Sequence, residues 1–169
     1  MSWRWGIPRG WKTWSRRSPA AIERQLLHFF FYGTLIAGSG NSVERAAHAR
    51  LREIGPASVE GALWAIPDPA GWYPALVSGR GRVHGVLYAT MDGFGPEDLA
   101  RLDAWEDYRP ERCAESLYRR IEVQAACASG TSLAAQVYRF NQPLPDGALA
   151  IAGGDFPSWL TASGYPAYR

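Results

Sequence analysis

The run VEGALWAIPDPAGWYPALVSGRGRVHGVLYAT, residues 59–90, decides the fold. Within it, residues 59–66, 75–77 and 83–90 are short, β-branched or aromatic in character, and bounded by turn-forming clusters. Those clusters are Pro67-Asp68-Pro69-Ala70-Gly71 and Ser78-Gly79-Arg80-Gly81, so each apolar run reads as a strand. Connections this short join antiparallel neighbours, since a parallel pair needs a crossover of about a dozen residues or more.

Upstream, Leu26-Leu27-His28-Phe29-Phe30-Phe31-Tyr32 is an apolar run of strand length that stops at Gly33. Asn41 or Ser42 can cap a helix over residues 43–54, where Val43, Ala47, Leu51 and Ile54 recur at helical spacing before Gly55-Pro56. Downstream, residues 96–105 read as a second helix, with Pro96 in its first turn and Glu97 and Asp98 near the positive end of its dipole. Strands follow at 118–126 and 134–140 around Ser129-Gly130, and the Pro- and Gly-rich end after Asn141 reads as a surface wrap. The order β-α-β-β-β-α-β-β predicts one α+β domain: a mixed, mostly antiparallel sheet curled into a small barrel, with two principal helices.

A chain of 169 residues suits one domain and buries enough surface to need no metal or disulfide staple. Its net charge of +2 is too small to imply a nucleic-acid partner. The charge is uneven, however: residues 1–24 hold six cations against Glu23, which leaves the remainder about −3. Four of the eight Trp crowd the same segment, as Trp3, Trp5, Trp11 and Trp14. Gly6, Pro8, Gly10 and Pro19 interrupt any helix there, so residues 1–24 read as a poorly ordered basic extension and 25–169 as the folded domain. The alternative is a tail that docks on a membrane or a partner. Neither a signal-peptide apolar region nor a stretch approaching about 20 apolar residues is visible. Cys113 and Cys127 lack metal or redox spacing, which favours free thiols in a reducing cytoplasm over a disulfide.

One carboxylate breaks the amphipathic pattern. On a helical wheel with Leu99 at zero, Leu102 falls at roughly 300°, Glu106 at roughly 340° and Asp103 at roughly 40°. Glu106 therefore sits in the apolar stripe between two leucines, where burial raises a carboxyl pKa toward the range a proton shuttle uses. The competing reading is a last-turn glutamate bonded to a backbone amide or paired with Arg109 or Arg112. Asp103, at the edge of the stripe, is placed to cap or orient a neighbour.

Four motifs add a family. Phe31-Tyr32-Gly33-Thr34-Leu35 resembles the Tyr-Gly-Ser/Thr-Leu loop of gamma-glutamyl cyclotransferase-like proteins. Tyr73-Pro74-Ala75-Leu76-Val77 and Gly85-Val86-Leu87-Tyr88 are similar to two of that superfamily's strands. Leu102-Asp103-x-x-Glu106-x-Tyr108, followed by Tyr118-x-Arg120, looks like the segment with its catalytic glutamate, and Gly153-Gly154-Asp155-Phe156 like its closing pattern. The order of these motifs over about 110 residues is more specific than any one of them.

The resemblance implies an enzyme that cyclises a γ-glutamyl amine or γ-glutamyl amino acid, releasing 5-oxoproline and a free amine. It implies Glu106 as general acid/base, a substrate loop at Tyr32, Gly33, Thr34 and Leu35, and Tyr108 and Tyr138 as further pocket residues. No metal or nucleotide is required, and the partner is a small γ-glutamyl molecule, with candidates from γ-glutamyl amino acids and lysine isopeptides to glutathione. Many relatives follow the glutamate with glycine, where this chain has Asp107; its carboxylate either raises the Glu106 pKa further or points outward. The alternative function is a noncatalytic small-ligand binder or interaction protein that keeps the fold.

Other signals carry less. His28, His48 and His84 are too dispersed for a metal site, and Gly79-Arg80-Gly81-Arg82 lacks the Lys-Ser/Thr ending of a phosphate loop. Ser132 and Ser158 have no nucleophile-elbow context.

Overall fold

The computed structural model describes residues 26–36 and 42–168. The expectation for the basic extension at 1–24 lies outside the described residues. Strand β1 (His28–Phe31) is followed by helix α1 (Ser42–His48), β2 (Leu51–Asp68), β3 (Gly71–Thr90) and helix α2 (Pro96–Trp105). A 3-10 turn at Pro110–Glu115 leads to β4 (Tyr118–Cys127), β5 (Ser132–Phe140), the short β6 (Leu149–Ala150) and helix α3 (Phe156–Ser163).

The sheet order β3-β1-β5-β4-β2 is closed by direct β2–β3 pairing, with β6 added on β2. Five strands thus form a barrel-like sheet. It is mixed, because β1 pairs antiparallel with β3 and parallel with β5, through Phe29 opposite Gln136. A strand flanked on both sides and covered on both faces is apolar throughout. Accordingly Phe29 and Phe31 enter one apolar cluster, with Leu102, Tyr118 and Tyr138, while Phe30 and Tyr32 enter the other, with Val83, Leu87 and Phe156. Each fully buried phenylalanine is worth roughly 1.5–3 kcal/mol.

Two local expectations are corrected. The helix predicted for 43–54 ends at His48, and Leu51 and Ile54 begin β2 instead. Leu51, Arg52 and Glu53 pair with Thr90, Ala89 and Tyr88, and the register shifts at Ile54 so that Gly55 and Pro56 remain in the strand. Pairing with the end of β3 overrides the helical spacing of four residues. Likewise, residues 75–77 and 83–90 are not separate strands around a turn but parts of one 20-residue strand whose two halves both pair with β2. Residues 78–81 form a bulge opposite Gly61, between the Glu60–Arg82 and Ala62–Val77 pairs. Close approach requires glycine here: a Cβ on Gly81 would lie 2.8 Å from the Gly61 carbonyl oxygen.

Helix α3 occupies part of the segment expected to be a surface wrap, making three α-helices among the described residues rather than two. Asp155 caps it by accepting from the Ser158 N–H at 2.9 Å, and Gly164 ends it in the left-handed conformation. The Gly153-Gly154-Asp155-Phe156 motif is thereby structural: Gly154 accepts the His84 N–H at 2.7 Å and Phe156 is buried. Both cysteines are free thiols. Among the described residues no helix is long and apolar enough to cross a membrane.

Candidate active site

Glu106 is the C-cap of α2, its N–H bonded to the Leu102 carbonyl at 3.2 Å. Leu102 beneath it is buried, so the helix face that carries Glu106 is the one turned to the protein. The side chain opens on a cavity of about 350 Å³ between the end of α2, the β1 loop and the β2–β3 tip. Tyr32, Gly33, Thr34, Leu35 and Tyr138, all expected at a substrate site, line this same cavity. Tyr108 does not; its ring lies under the Arg120 guanidinium, 5.8 Å from ring centre to carbon. Sequence reasoning did not assign site roles to Tyr73, Pro74, Tyr118, Asp68 or Tyr168, which also line it. The first three fall within quoted motifs; Asp68 and Tyr168 carry no local signal.

Glu106 keeps some accessible surface because it faces the cavity, yet protein crowds its carboxyl, and this desolvation pushes its pKa up to about 8. Three phenols sit within electrostatic reach of it. Burial, and secondarily the Glu106 charge, raises the Tyr32 pKa; burial, Tyr32 and Glu106 raise that of Tyr118. Tyr138 is raised by burial, then by Asp103 and Glu106. All three stay neutral, and all three spend their protons elsewhere. Tyr32 donates to the Tyr138 carbonyl at 2.6 Å, Tyr118 to the Pro74 carbonyl at 2.6 Å, and Tyr138 to Asp103 Oδ1 at 2.7 Å. Among the described residues no donor or cation is paired with the Glu106 carboxyl, so nothing offsets the cost of ionising it.

Asp103 holds this arrangement in place. Its carboxylate accepts from Arg120 Nε at 2.9 Å and Nη2 at 3.4 Å as well as from Tyr138, while Arg120 Nη1 reaches Gln136 at 3.3 Å. A helix residue is thus tied to β4 and β5 one turn before Glu106. The turn that follows is fixed by Tyr108 N–H to the Asp103 carbonyl at 2.8 Å and by Leu117 N–H to the Asp107 carbonyl at 3.2 Å. Asp107 adopts φ 46° and pairs with Arg109 at 2.7 Å on the surface. Its carboxylate adds nothing to the Glu106 shift, which has burial as its cause. The left-handed backbone explains why glycine serves at this place, and aspartate tolerates it better than a β-branched residue. Asp107→Gly is expected to change stability by under about 1 kcal/mol, whereas Asp107→Val costs about 1–2 kcal/mol; thermal melts of the two variants check this.

The β1 loop is positioned from two sides. His48 Nε2 donates to the Leu35 carbonyl at 2.9 Å from α1, and Ile36 N–H closes a turn on the Gly33 carbonyl at 3.0 Å. At Gly33 a Cβ would run into the Pro74 ring, which packs directly against it in the cavity wall. Gly33→Val is therefore expected to raise KM about tenfold or more, with an overpacking cost of about 1–3 kcal/mol. Ligand titration of the folded variant separates the two effects.

The mixed five-stranded barrel thus carries one desolvated carboxylate in the wall of a cavity that it shares with the loop after β1. The chain belongs to the gamma-glutamyl cyclotransferase, AIG2-like family, whose profile matches residues 29–159. Among solved structures it resembles an uncharacterised protein of Pyrococcus horikoshii at 18% identity, covering 82% of this chain and 96% of that one, with TM-score 0.54. It also resembles an AIG2-like protein of Mus musculus at 23% identity, covering 72% and 81%, with TM-score 0.54. YkqA from Bacillus subtilis matches at 20% identity and TM-score 0.58 over 82% of this chain, which spans 42% of that protein. These likenesses show the fold. No curated protein matches in sequence.

Proposed function

We propose that this protein cyclises a γ-glutamyl amine or γ-glutamyl amino acid, releasing 5-oxoproline and the free amine, with Glu106 as the proton carrier. The observation that carries the reading is a carboxyl without a partner among the described residues, raised to about 8, in the wall of a cavity shared with the Tyr32-Gly33-Thr34-Leu35 loop. In such a substrate the α-amine attacks its own side-chain carbonyl carbon. The carbon–nitrogen bond to the leaving amine then breaks, leaving a five-membered lactam. The α-ammonium loses two protons and the leaving nitrogen gains two, so no net proton is released. A single carboxyl acting first as base and then as acid can carry this traffic, and a pKa near the working pH suits both roles. The arriving ammonium favours the ionised carboxylate, which then takes the proton. The intramolecular geometry leaves the enzyme to hold a bent conformer. Loop amides supply contacts for the substrate α-carboxylate or for the oxyanion formed on attack.

The test is 5-oxoproline release over a panel of γ-glutamyl amino acids, γ-glutamyl amines, lysine isopeptide and glutathione. Turnover of at least one member is expected. Silence across the whole panel, from protein that is folded by its thermal melt, would remove the reading.

A further inference from the structure

Strand β4 leaves one edge of the barrel open. Its ladder with β5 runs without a register shift from Tyr118–Phe140 to Ala126–Ser132. Among the described residues, its other side meets β2 only through Ala57–Cys127 and Ser58–Ala126. Past Ser58, β2 bulges at Gly61 and pairs with β6 instead, through Trp64 and Ala65. The open stretch of β4 carries no bulge and no proline, two devices that commonly keep a strand edge from pairing.

Hydrogen bonds at the two ends of the β4–β5 ladder fix its phase. Asn141 N–H donates to the Leu117 carbonyl at 2.9 Å, and Cys127 N–H to the Thr131 carbonyl at 2.8 Å. Both continue the β4–β5 register, so odd-numbered β4 residues turn their main-chain groups to β5 and even-numbered ones turn them outward. Ala128 N–H agrees, reaching the Pro56 carbonyl on the outer side at 3.3 Å. Tyr118, Arg120, Glu122 and Gln124 therefore direct N–H and C=O away from β5, and among the described residues no main-chain bond meets them there. Arg119, Glu122 and Gln124 are exposed, and Ile121 and Val123 are half-buried.

We infer that this edge joins two copies of the chain, with β4 pairing antiparallel to β4 of the second copy about a two-fold axis through Ile121. In a two-fold strand pair, residues directly opposite share a face and therefore a parity. Centring on Ile121 meets this condition and sets Arg120 across from Glu122 of the second copy, twice, with Tyr118 across from Gln124. It also brings the two Ile121 side chains together, with a Val123 on either side. Centring one residue earlier or later would face Arg120 with Arg120, or Glu122 with Glu122, and like charges directly opposite are destabilising. Glu122 has no cation partner among the described residues, and the second copy supplies one. The self-complementary charge pattern thus selects a second copy over an unrelated extended peptide, and it does so independently of the cyclisation reading.

Sedimentation equilibrium on the full chain tests the association. A reversible dimer with Kd of about 10–100 µM is expected, the strength of a small interface. Glu122→Pro removes an outward N–H that the chain does not use within its own sheet, and Glu122→Arg sets an arginine across from Arg120 of the second copy. Each should weaken the dimer about tenfold or more; if Glu122→Pro fails to fold, Glu122→Arg carries the comparison. The register is read by cross-linking in a background of Cys113→Ala and Cys127→Ala. On the axis, Ile121 forms a pair without main-chain bonds, whose Cα atoms lie about 4.5 Å apart, within reach of a disulfide. Ile121→Cys should therefore oxidise to a covalent dimer, whereas Val123→Cys should stay monomeric. A monomer at every concentration, a dimer of unchanged affinity in the folded Glu122 variants, or cross-linking as efficient at 123 as at 121 overturns the interface.

Discussion

Glu106→Gln is expected to lower turnover by about 10²–10⁴-fold while leaving the fold intact, because it keeps the shape of the side chain and removes its proton traffic. Its effect on stability has a sign set by linkage. Burial raises the folded carboxyl to about 8, against about 4.3 for a free glutamate. Below the lower value both folded and unfolded chains hold the proton, and burial of the neutral acid carries no ionisation penalty. As pH rises toward 8 the unfolded chain releases its proton while the folded chain retains it, so wild-type stability falls over that window. The penalty is on the order of a few kcal/mol at most, reduced by water in the cavity. The variant has no such penalty. Its thermal midpoint should match or exceed wild type, with the gap growing from pH 5 to pH 8. A large loss of stability at unchanged specific activity would instead mark Glu106 as a structural carboxylate.

The second large effect is predicted at Asp103, a positioning residue. Asp103→Ala leaves the Tyr138 hydroxyl without its acceptor and takes from Arg120 its only anion among the described residues. Removing one partner of a fully buried pair costs about 3–5 kcal/mol. Here the side chains keep 12% and 22% exposure, so the loss is discounted to about 2–3 kcal/mol. In a chain of this size that corresponds to about 5–10 °C in Tm. Because the tie holds α2 one turn before Glu106, kcat should also fall about 10–100-fold in the folded fraction. Asp103→Asn, which still accepts one bond from each partner, should recover much of the Tm and part of kcat. A drop below about 1 °C for Asp103→Ala would show that the network contributes little.

How much of this was legible beforehand differs by element. Strand β1 and helix α2 declare themselves because their patterns are strong and local: three consecutive phenylalanines in one, and Pro96, two acids and an apolar stripe in the other. The long β2–β3 ribbon does not. Glycines that let two backbones approach at a bulge have the same local composition as glycines that turn a chain, so Ser78-Gly79-Arg80-Gly81 read as a hairpin turn. Leu51 and Ile54 kept helical spacing while the end of β3 recruited them, a partner that no window of local sequence contains.

The site divides in the same way. Glu106 was visible as a charge in an apolar stripe, and the loop at Tyr32-Gly33-Thr34-Leu35 through its resemblance. Tyr138 and Tyr108 were both expected at the pocket; Tyr138 lines the cavity, whereas the Tyr108 ring lies under the Arg120 guanidinium. Asp103 and Arg120 are 17 residues apart, and only the packing of helix α2 on strand β4 brings them together. Tyr168 reaches the cavity through main-chain bonds to Trp72, which leave no trace in composition or spacing.

The most direct measurement is the pH dependence of 5-oxoproline release, taken in parallel on wild type and Glu106→Gln with a substrate that the wild type demonstrably cyclises. The account predicts a wild-type kcat/KM that rises with pH through an apparent pKa within about one unit of 8, as the carboxylate forms. It predicts residual variant activity lower by about 10²-fold or more, without that ionisation. Variant turnover close to wild type, or a rising limb that survives unchanged in the variant, would contradict Glu106 as the proton carrier.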